Sequence, residues 1–228
     1  MTVNAEANST APSVAPYSEV RRKIEHIAPL GFAFTLTIWP KWLVFTLAII
    51  AALYGIFSVK LTKNPSVREA ELARGYSVGK AAYGVMVLIL LCLFHRHMEI
   101  VAGAWATLAL GDGTASIFGR RFGDGKLPWN NVKSWAGFGA FVGIGSLACF
   151  GLLLYTQATG NATPPGEITI SPAFAAFSTA RLAAAAFGAV LLAAVAESWP
   201  QRIDDNILVP AVSGLALAVF FDVPMPPF

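Results

Sequence analysis

Three short stretches of this sequence carry side chains that could do chemistry. The first is Gly111-Asp112-Gly113-Thr114-Ala115-Ser116, continuing through Gly119-Arg120-Arg121-Phe122-Gly123-Asp124-Gly125-Lys126 to Lys133-Ser134. Asp112 comes after a long apolar run. An acid at that depth is costly, and is a functional residue by default. Ser116 lies one helical turn later, on the same face. Five glycines within residues 111–125 let the backbone approach a ligand closely. Arg120, Arg121, Lys126 and Lys133 offer positive charge to phosphate oxygens. The spacing is not that of a G-x-x-x-x-G-K-[ST] phosphate loop. A basic loop with a capping Asp is the plainer alternative.

The second stretch is Glu197 with Asp204-Asp205-Asn206 and Pro210. Three carboxylates and an amide within ten residues suit a hard cation such as Mg2+, which prefers oxygen ligands. Any one of Asp204, Asp205 or Asn206 could instead cap the next helix. The third stretch is Arg22-Lys23-Ile24-Glu25-His26, in which Arg22 and His26 share a helix face. Its plainer alternative is a basic anchor at a membrane surface.

The elements that must position these groups are apolar. Of the 228 residues, 56% are hydrophobic and only 13% are charged, against about 25% charged in soluble domains. That excludes an ordinary soluble enzyme, a disordered chain and a disulfide scaffold. Seven apolar segments, roughly 24–40, 42–60, 81–96, 98–119, 135–155, 179–198 and 206–222, approach the length of about 20 residues that crosses a bilayer. The expected fold is all-α: a polytopic membrane bundle of about seven helices, forming one catalytic domain over 21–228. Residues 1–20 are polar, contain no Lys or Arg, and read as a disordered tail without a targeting signal. Insertion into a bacterial plasma membrane is expected on that ground. Between segments, Ser66 and Glu69 form a capping-box pattern ahead of a short helix from Val67 to Arg74, stopped by Gly75. Cys92 and Cys149 read as free thiols.

With seven spans, alternate loops fall on opposite sides. All of the 16 basic residues except Lys41, Arg96 and Arg181 then collect on one side. The positive-inside rule makes that side cytoplasmic and puts the N-terminus there. Topology explains the net charge of +3, and no nucleic-acid partner is expected. The three polar stretches fall on the same side, which fits a Mg2+–nucleotide site at the membrane surface. A transporter would instead set its polar groups near the midplane in two related halves.

These residues resemble the polyprenol kinase family: dolichol, phytol and farnesol kinases and the CTP-dependent diacylglycerol kinase. The resemblance runs from Arg21 to Pro210. It rests on Arg22-Lys23 with His26, the Gly111-Asp112…Gly119-Arg120-Arg121-Phe122-Gly123 run, Lys126-Leu127-Pro128, Lys133-Ser134-Trp135, and Glu197 with Asp204-Asp205-Asn206…Pro210. The family is also similar to phosphatidate cytidylyltransferases. The resemblance implies transfer of the γ-phosphoryl group of CTP to a prenyl alcohol, phytol foremost, with a divalent metal. Asp112, Asp205 and Lys133 would be catalytic. Asp112, Glu197, Asp205 and Asn206 would hold the metal. Arg120, Arg121, Lys126 and Lys133, with Gly111, Gly119 and Gly123, would hold the nucleotide phosphates. Lys23, His26, Ser116, Ser134 and Asp204 would support them. One departure is Ala136, where the family pattern Lys-Ser-Trp-Glu-Gly carries a carboxylate. A phosphatidate cytidylyltransferase or a CTP-dependent diacylglycerol kinase is the first alternative, and a non-catalytic membrane protein or transporter the second. Oligomeric state is not legible.

Overall fold

The computed structural model describes residues 18–61, 66–160, 167 and 169–223. Most of the expected polar tail lies outside the described residues. The fold is built around one long helix over Met98–Phe122, of which 78% of the most apolar stretch is buried. The corresponding share is 33–39% in the other long helices, so this one is the central post. It comprises α5 (Met98–Ala106), a π-helical turn (Thr107–Asp112) and α6 (Gly113–Phe122). Against it pack α7 (Trp135–Thr159), α9 (Thr179–Ser198) and α10 (Asp205–Phe220). A second layer pairs α2 (Lys41–Leu61) with α4 (Val78–Leu93).

Four helices are long and apolar enough to cross a membrane: Lys41–Leu61, Met98–Phe122, Trp135–Thr159 and Thr179–Ser198. The expected seven spans are not confirmed by this count. The segments 81–96 and 206–222 are shorter apolar helices, Val78–Leu93 and Asp205–Phe220. Sixteen residues each, they reach only about 24 Å at 1.5 Å per residue. The segment 24–40 is not one continuous α-helix. It is the nine-residue α1 (Glu19–Ile27), continued by a 3₁₀ segment over Ala28–Thr35. Pro29 at the start of that segment lacks an N–H and ends the α-helical ladder.

Small residues let the helices approach. A side-chain carbon on Gly84 of α4 would lie 2.7 Å from the Ala52 Cα of α2. At Gly111 it would strike the Phe141 ring, and Gly145 of α7 faces Gly111 in turn. This is the close packing expected of helices in lipid.

The basic loop 120–134 contains the one sheet among the described residues. Strand β1 (Lys126–Leu127) pairs antiparallel with β2 (Asn130–Ser134), so the all-α expectation omits a hairpin. The short helix expected over 67–74 is α3 (Glu69–Arg74), ended by Gly75 at φ 76°. Its cap differs from the expected pair. The Arg68 N–H donates to Glu71 Oε2, while Ser66 Oγ donates to Glu25 Oε2 at 2.6 Å. Cys92 and Cys149 are free.

Candidate active site

Asp112 ends the π-helical turn and is 7% exposed. A π-turn inserts an extra residue into a helix, rotates the downstream residues and frees backbone groups. Here His26 Nε2 lies 3.1 Å from the Leu108 carbonyl, inside that turn, and 3.3 Å from Asp112 Oδ2. Lys23 Nζ, one turn earlier on α1, stands 3.5 Å from the same oxygen and is also buried. Thus α1 brings a cation and an imidazole to a buried acid 80-odd residues away. Burial lowers the His26 pKa from its ordinary value, and the opposing pull of Asp112 does not restore it. The ring is therefore neutral at pH 7.

Glu197 sits near the end of α9 and Asp205 opens α10, so a single turn delivers both. Asp204 is the N-cap of α10: its Oδ1 accepts from the Asn206 N–H at 2.9 Å and from Asn206 Nδ2 at 2.7 Å. The capping role weighed for this trio thus falls to Asp204, and Asp205 is left free for the site. Carboxylate oxygens of Asp112, Glu197 and Asp205 lie within 4.8 Å of one another and could together ligate one cation. Asn206 Oδ1 is buried without a hydrogen-bond partner.

Lys133 closes the cluster from β2. Its Nζ bonds Glu197, and lies 3.3 Å from Asp205 Oδ2. Burial alone would lower its pKa, but Glu197 and Asp205 outweigh it and hold the ammonium above the ordinary lysine range. The hairpin carrying Lys133 is pinned to the end of α9. Trp129 Nε1 donates to Ser198 Oγ at 3.1 Å, and Asn130 Nδ2 donates to the Ser198 carbonyl at 3.0 Å. Asn130 Oδ1 accepts from the Val132 N–H at 3.0 Å. Sequence reasoning passed over Trp129, Asn130 and Ser198. The Pro-Trp-Asn-Asn run over 128–131 is turn chemistry that signals the hairpin. Nothing in the sequence pairs it with Ser198.

Two cavities meet at the cluster. One, about 1390 Å³, runs between α1, α2 and α4; its apolar length ends in polar residues that include Lys23, His26, Asp112 and Asp205. The other, about 780 Å³, is polar and lined by Asn131, Lys133, Glu197, Arg202 and Asp205. Asp112 faces only the first, Glu197 only the second, and Asp204 and Asp205 face both. Ser116 also lines the apolar cavity, a turn beyond Asp112.

Other expected site residues lie elsewhere. Arg120, Arg121 and Lys126 are exposed and line neither cavity. Gly111, Gly119 and Gly123 serve packing: Gly111 meets Phe141, and Gly119 and Gly123 meet Ser134 Oγ. Ser134 is buried as the N-cap of α7, its Oγ accepting from the Gly137 N–H at 3.2 Å.

The chain is 35% identical over 153 residues to a probable phytol kinase 1 of Glycine max, covering 66% of this chain and 44% of that protein. It is 32% identical over 145 residues to phytol kinase 1 of Arabidopsis thaliana, covering 63% and 43%. By sequence, this chain is similar to phytol and farnesol kinases. The farnesol kinase of Arabidopsis thaliana is 31% identical over 142 residues, covering 61% of this chain and 42% of that protein. The chain thus spans less than half the length of these curated relatives. All three are named chloroplastic, which lends no support to the bacterial plasma membrane expected from the tail. No family model matches the chain, and no solved structure matches it.

Proposed function

We propose that this chain is a membrane-embedded prenyl-alcohol kinase that transfers the γ-phosphoryl group of CTP to phytol or a similar alcohol. The observation that carries this proposal is the carboxylate cluster standing between an apolar cavity and a polar one. A lipid alcohol and a nucleotide have to meet at such a junction. The names of the relatives supply the substrate class. The body lies in the bilayer with the site at its cytoplasmic face: Lys80 pairs with Glu25 at 3.0 Å, so α1 and the basic loop after α2 share the site's end of the bundle, the end the positive-inside rule makes cytoplasmic.

Phosphoryl transfer needs positioning and charge neutralisation more than covalent help from the protein. The prenyl chain lies in the apolar cavity with its hydroxyl toward Asp112. The nucleotide phosphates enter from the polar cavity, where Lys133 meets them. The hydroxyl oxygen forms a bond to the γ-phosphorus, the bond to the β–γ bridging oxygen breaks, and CDP leaves. Asp112 takes the hydroxyl proton, and Lys23 and His26 hold that carboxylate in place. Asp112, Glu197 and Asp205, with Asn206, would hold a divalent cation such as Mg2+, because their oxygens form a hard donor set. Such a cation neutralises charge on the transferring group.

Doubly labelled CTP tests the proposal. The purified protein is given phytol, farnesol, undecaprenol and diacylglycerol with Mg2+. The expected result is γ-phosphate label, without cytidine label, in phytyl or farnesyl phosphate. Cytidine label in the lipid would make the protein a cytidylyltransferase instead. No label in any lipid would overturn the kinase assignment.

A further inference from the structure

The apolar cavity opens sideways. One wall is the packed face of α4 and α5, where Tyr83, Val87, Leu91 and Trp105 are only 1–9% exposed. The opposite lining differs. Phe32 of the 3₁₀ segment and Ile50 and Tyr54 of α2 also line the cavity, yet they are 50%, 56% and 49% exposed. Ile50 and Tyr54 are four residues apart and share a face of α2. Ala51 lies between them and is exposed too. Helix α2 is long and apolar enough to cross a bilayer, so this face meets lipid.

Packing explains the opening. Helix α2 lies along α4, with Ala52 on Gly84 and Gly55 on Lys80. The 3₁₀ segment packs instead on α5 and α7. The turn over 36–40 joins the two, and Leu36 and Val44 beside it are buried. Beyond that turn, among the described residues, the 3₁₀ segment and α2 make little contact with each other, which leaves a slot between them. The Thr35 hydroxyl on this lining donates to the Phe32 carbonyl at 2.7 Å, so it makes no polar demand on the slot.

The charged end of the cavity is different again. Lys80 Nζ lies 3.0 Å from Glu25 Oε2 and 2.9 Å from Ser66 Oγ, tying α1 to α4 and to the loop after α2. Tyr54 adjoins Gly55, which packs on Lys80, so the slot begins close to this end. Ile50 lies about 6 Å further along α2 at 1.5 Å per residue.

From this contrast, which rests on the kinase assignment above, we infer that the alcohol enters from the bilayer through the slot between the 3₁₀ segment and α2, with Phe32, Ile50 and Tyr54 as its lips. The hydroxyl leads toward Asp112, and the first isoprene units lie against Tyr83, Val87 and Trp105. The rest of the chain leaves between the lips and stays in lipid. The chain is never exposed to water, which its apolar surface would resist. Because only its head is enclosed, its length is not read.

Photolabelling tests the slot directly. A phytol analogue with a mid-chain diazirine is given to wild-type protein in phosphatidylcholine vesicles. The expected adducts are on Phe32, Ile50, Ala51 or Tyr54, and excess phytol should suppress them. Adducts only on Leu36, Val44 and Leu91, or none that phytol suppresses, would overturn the slot. In the same vesicles, CTP-dependent kcat/KM for farnesol, geranylgeraniol and the nine-unit solanesol should agree within about fivefold. A larger fall at solanesol would overturn it. Ala51→Phe and Ile50→Trp narrow the slot from its lipid side. Each should lower kcat/KM for geranylgeraniol at least about tenfold more than for prenol, the five-carbon alcohol with the same head. A loss shared equally by both alcohols would also overturn it. Thermal unfolding identifies a variant that fails to fold, and the wild-type labelling and length series depend on neither. Phytol-suppressible adducts at the lips, without phosphorylation of any alcohol, would keep the slot and remove the kinase assignment.

Discussion

Lys133 Nζ lies 3.3 Å from Asp205 Oδ2, a contact that joins the β-hairpin to the first residue of α10. The same ammonium bonds Glu197 at the end of α9. Three carboxylates in one partly dehydrated site repel one another, and Lys133 is the cation that offsets this on the polar-cavity side. Lys133→Gln should therefore cost at least about a hundredfold in turnover, the scale of losing a charged group aimed at a transferring phosphoryl. Steady-state kinetics with CTP and phytol would show it. Turnover within a few-fold of wild type would remove Lys133 from the machinery.

Asp112→Asn and Asp205→Asn keep shape and remove charge. Both should abolish phosphorylation while the protein still folds. Mn2+ binding, monitored by electron paramagnetic resonance, should weaken in each. Two variants that turn over and bind Mn2+ like wild type would sink the assignment of the cluster.

Arg121 and Lys126 are exposed and line neither cavity. Arg121→Ala and Lys126→Ala should each change the KM for CTP by less than about threefold, since isolated surface charges contribute little. A tenfold rise in KM in either would bring the basic end of α6 back into the nucleotide site.

Asn130 holds the hairpin to Ser198 through its amide nitrogen and braces Val132 through its amide oxygen. Asn130→Ala should lower stability by about 1–2 kcal/mol, as expected for two hydrogen bonds of ordinary net worth. It should also lower turnover, because Lys133 loses its anchor. Asn130→Asp keeps the acceptor and loses the donor, so its loss should be intermediate. Thermal unfolding and kcat, measured on the same samples, check both.

His26 makes stability depend on pH. Its pKa in the folded protein lies below the ordinary value. The unfolded chain thus takes up this proton first as pH falls. Stability should drop as pH is lowered through about 6.5, and level off below the folded pKa. Above pH 7 the group contributes no slope. His26→Gln should flatten the unfolding midpoint between pH 5 and 7. An unchanged slope in that variant would assign the effect to another group.

The acidic members of the site were legible because charge in an apolar sequence is conspicuous. Asp112 stood out against its helix, and Glu197 with Asp205 stood out around Pro200. The basic members were harder to rank. Lys133 looked no different from Arg121 or Lys126, since all three sit in one Gly-rich loop. A hairpin register turns Lys133 inward and leaves Lys126 exposed, and that register depends on pairing that charge patterning does not report. Residues 24–40 differ from the single helix expected there for a related reason. Hydropathy there is high, but Pro29 breaks the helix, and the segment becomes a wall of the apolar cavity.

The sequence by itself determined that this chain is an apolar helical body with a few costly acids. Burying charge is so unfavourable that its presence alone marks a site. It also carried the resemblance to phytol and farnesol kinases, which local motifs and their order preserve. The tertiary structure decided how the acids meet. The π-turn aims Asp112, the cap at Asp204 leaves Asp205 free, and the clamp on Ser198 sets Lys133 over Glu197. It also decided that Leu36, Val44 and Leu91, from three separate segments, line one apolar cavity, because only packing brings those segments together.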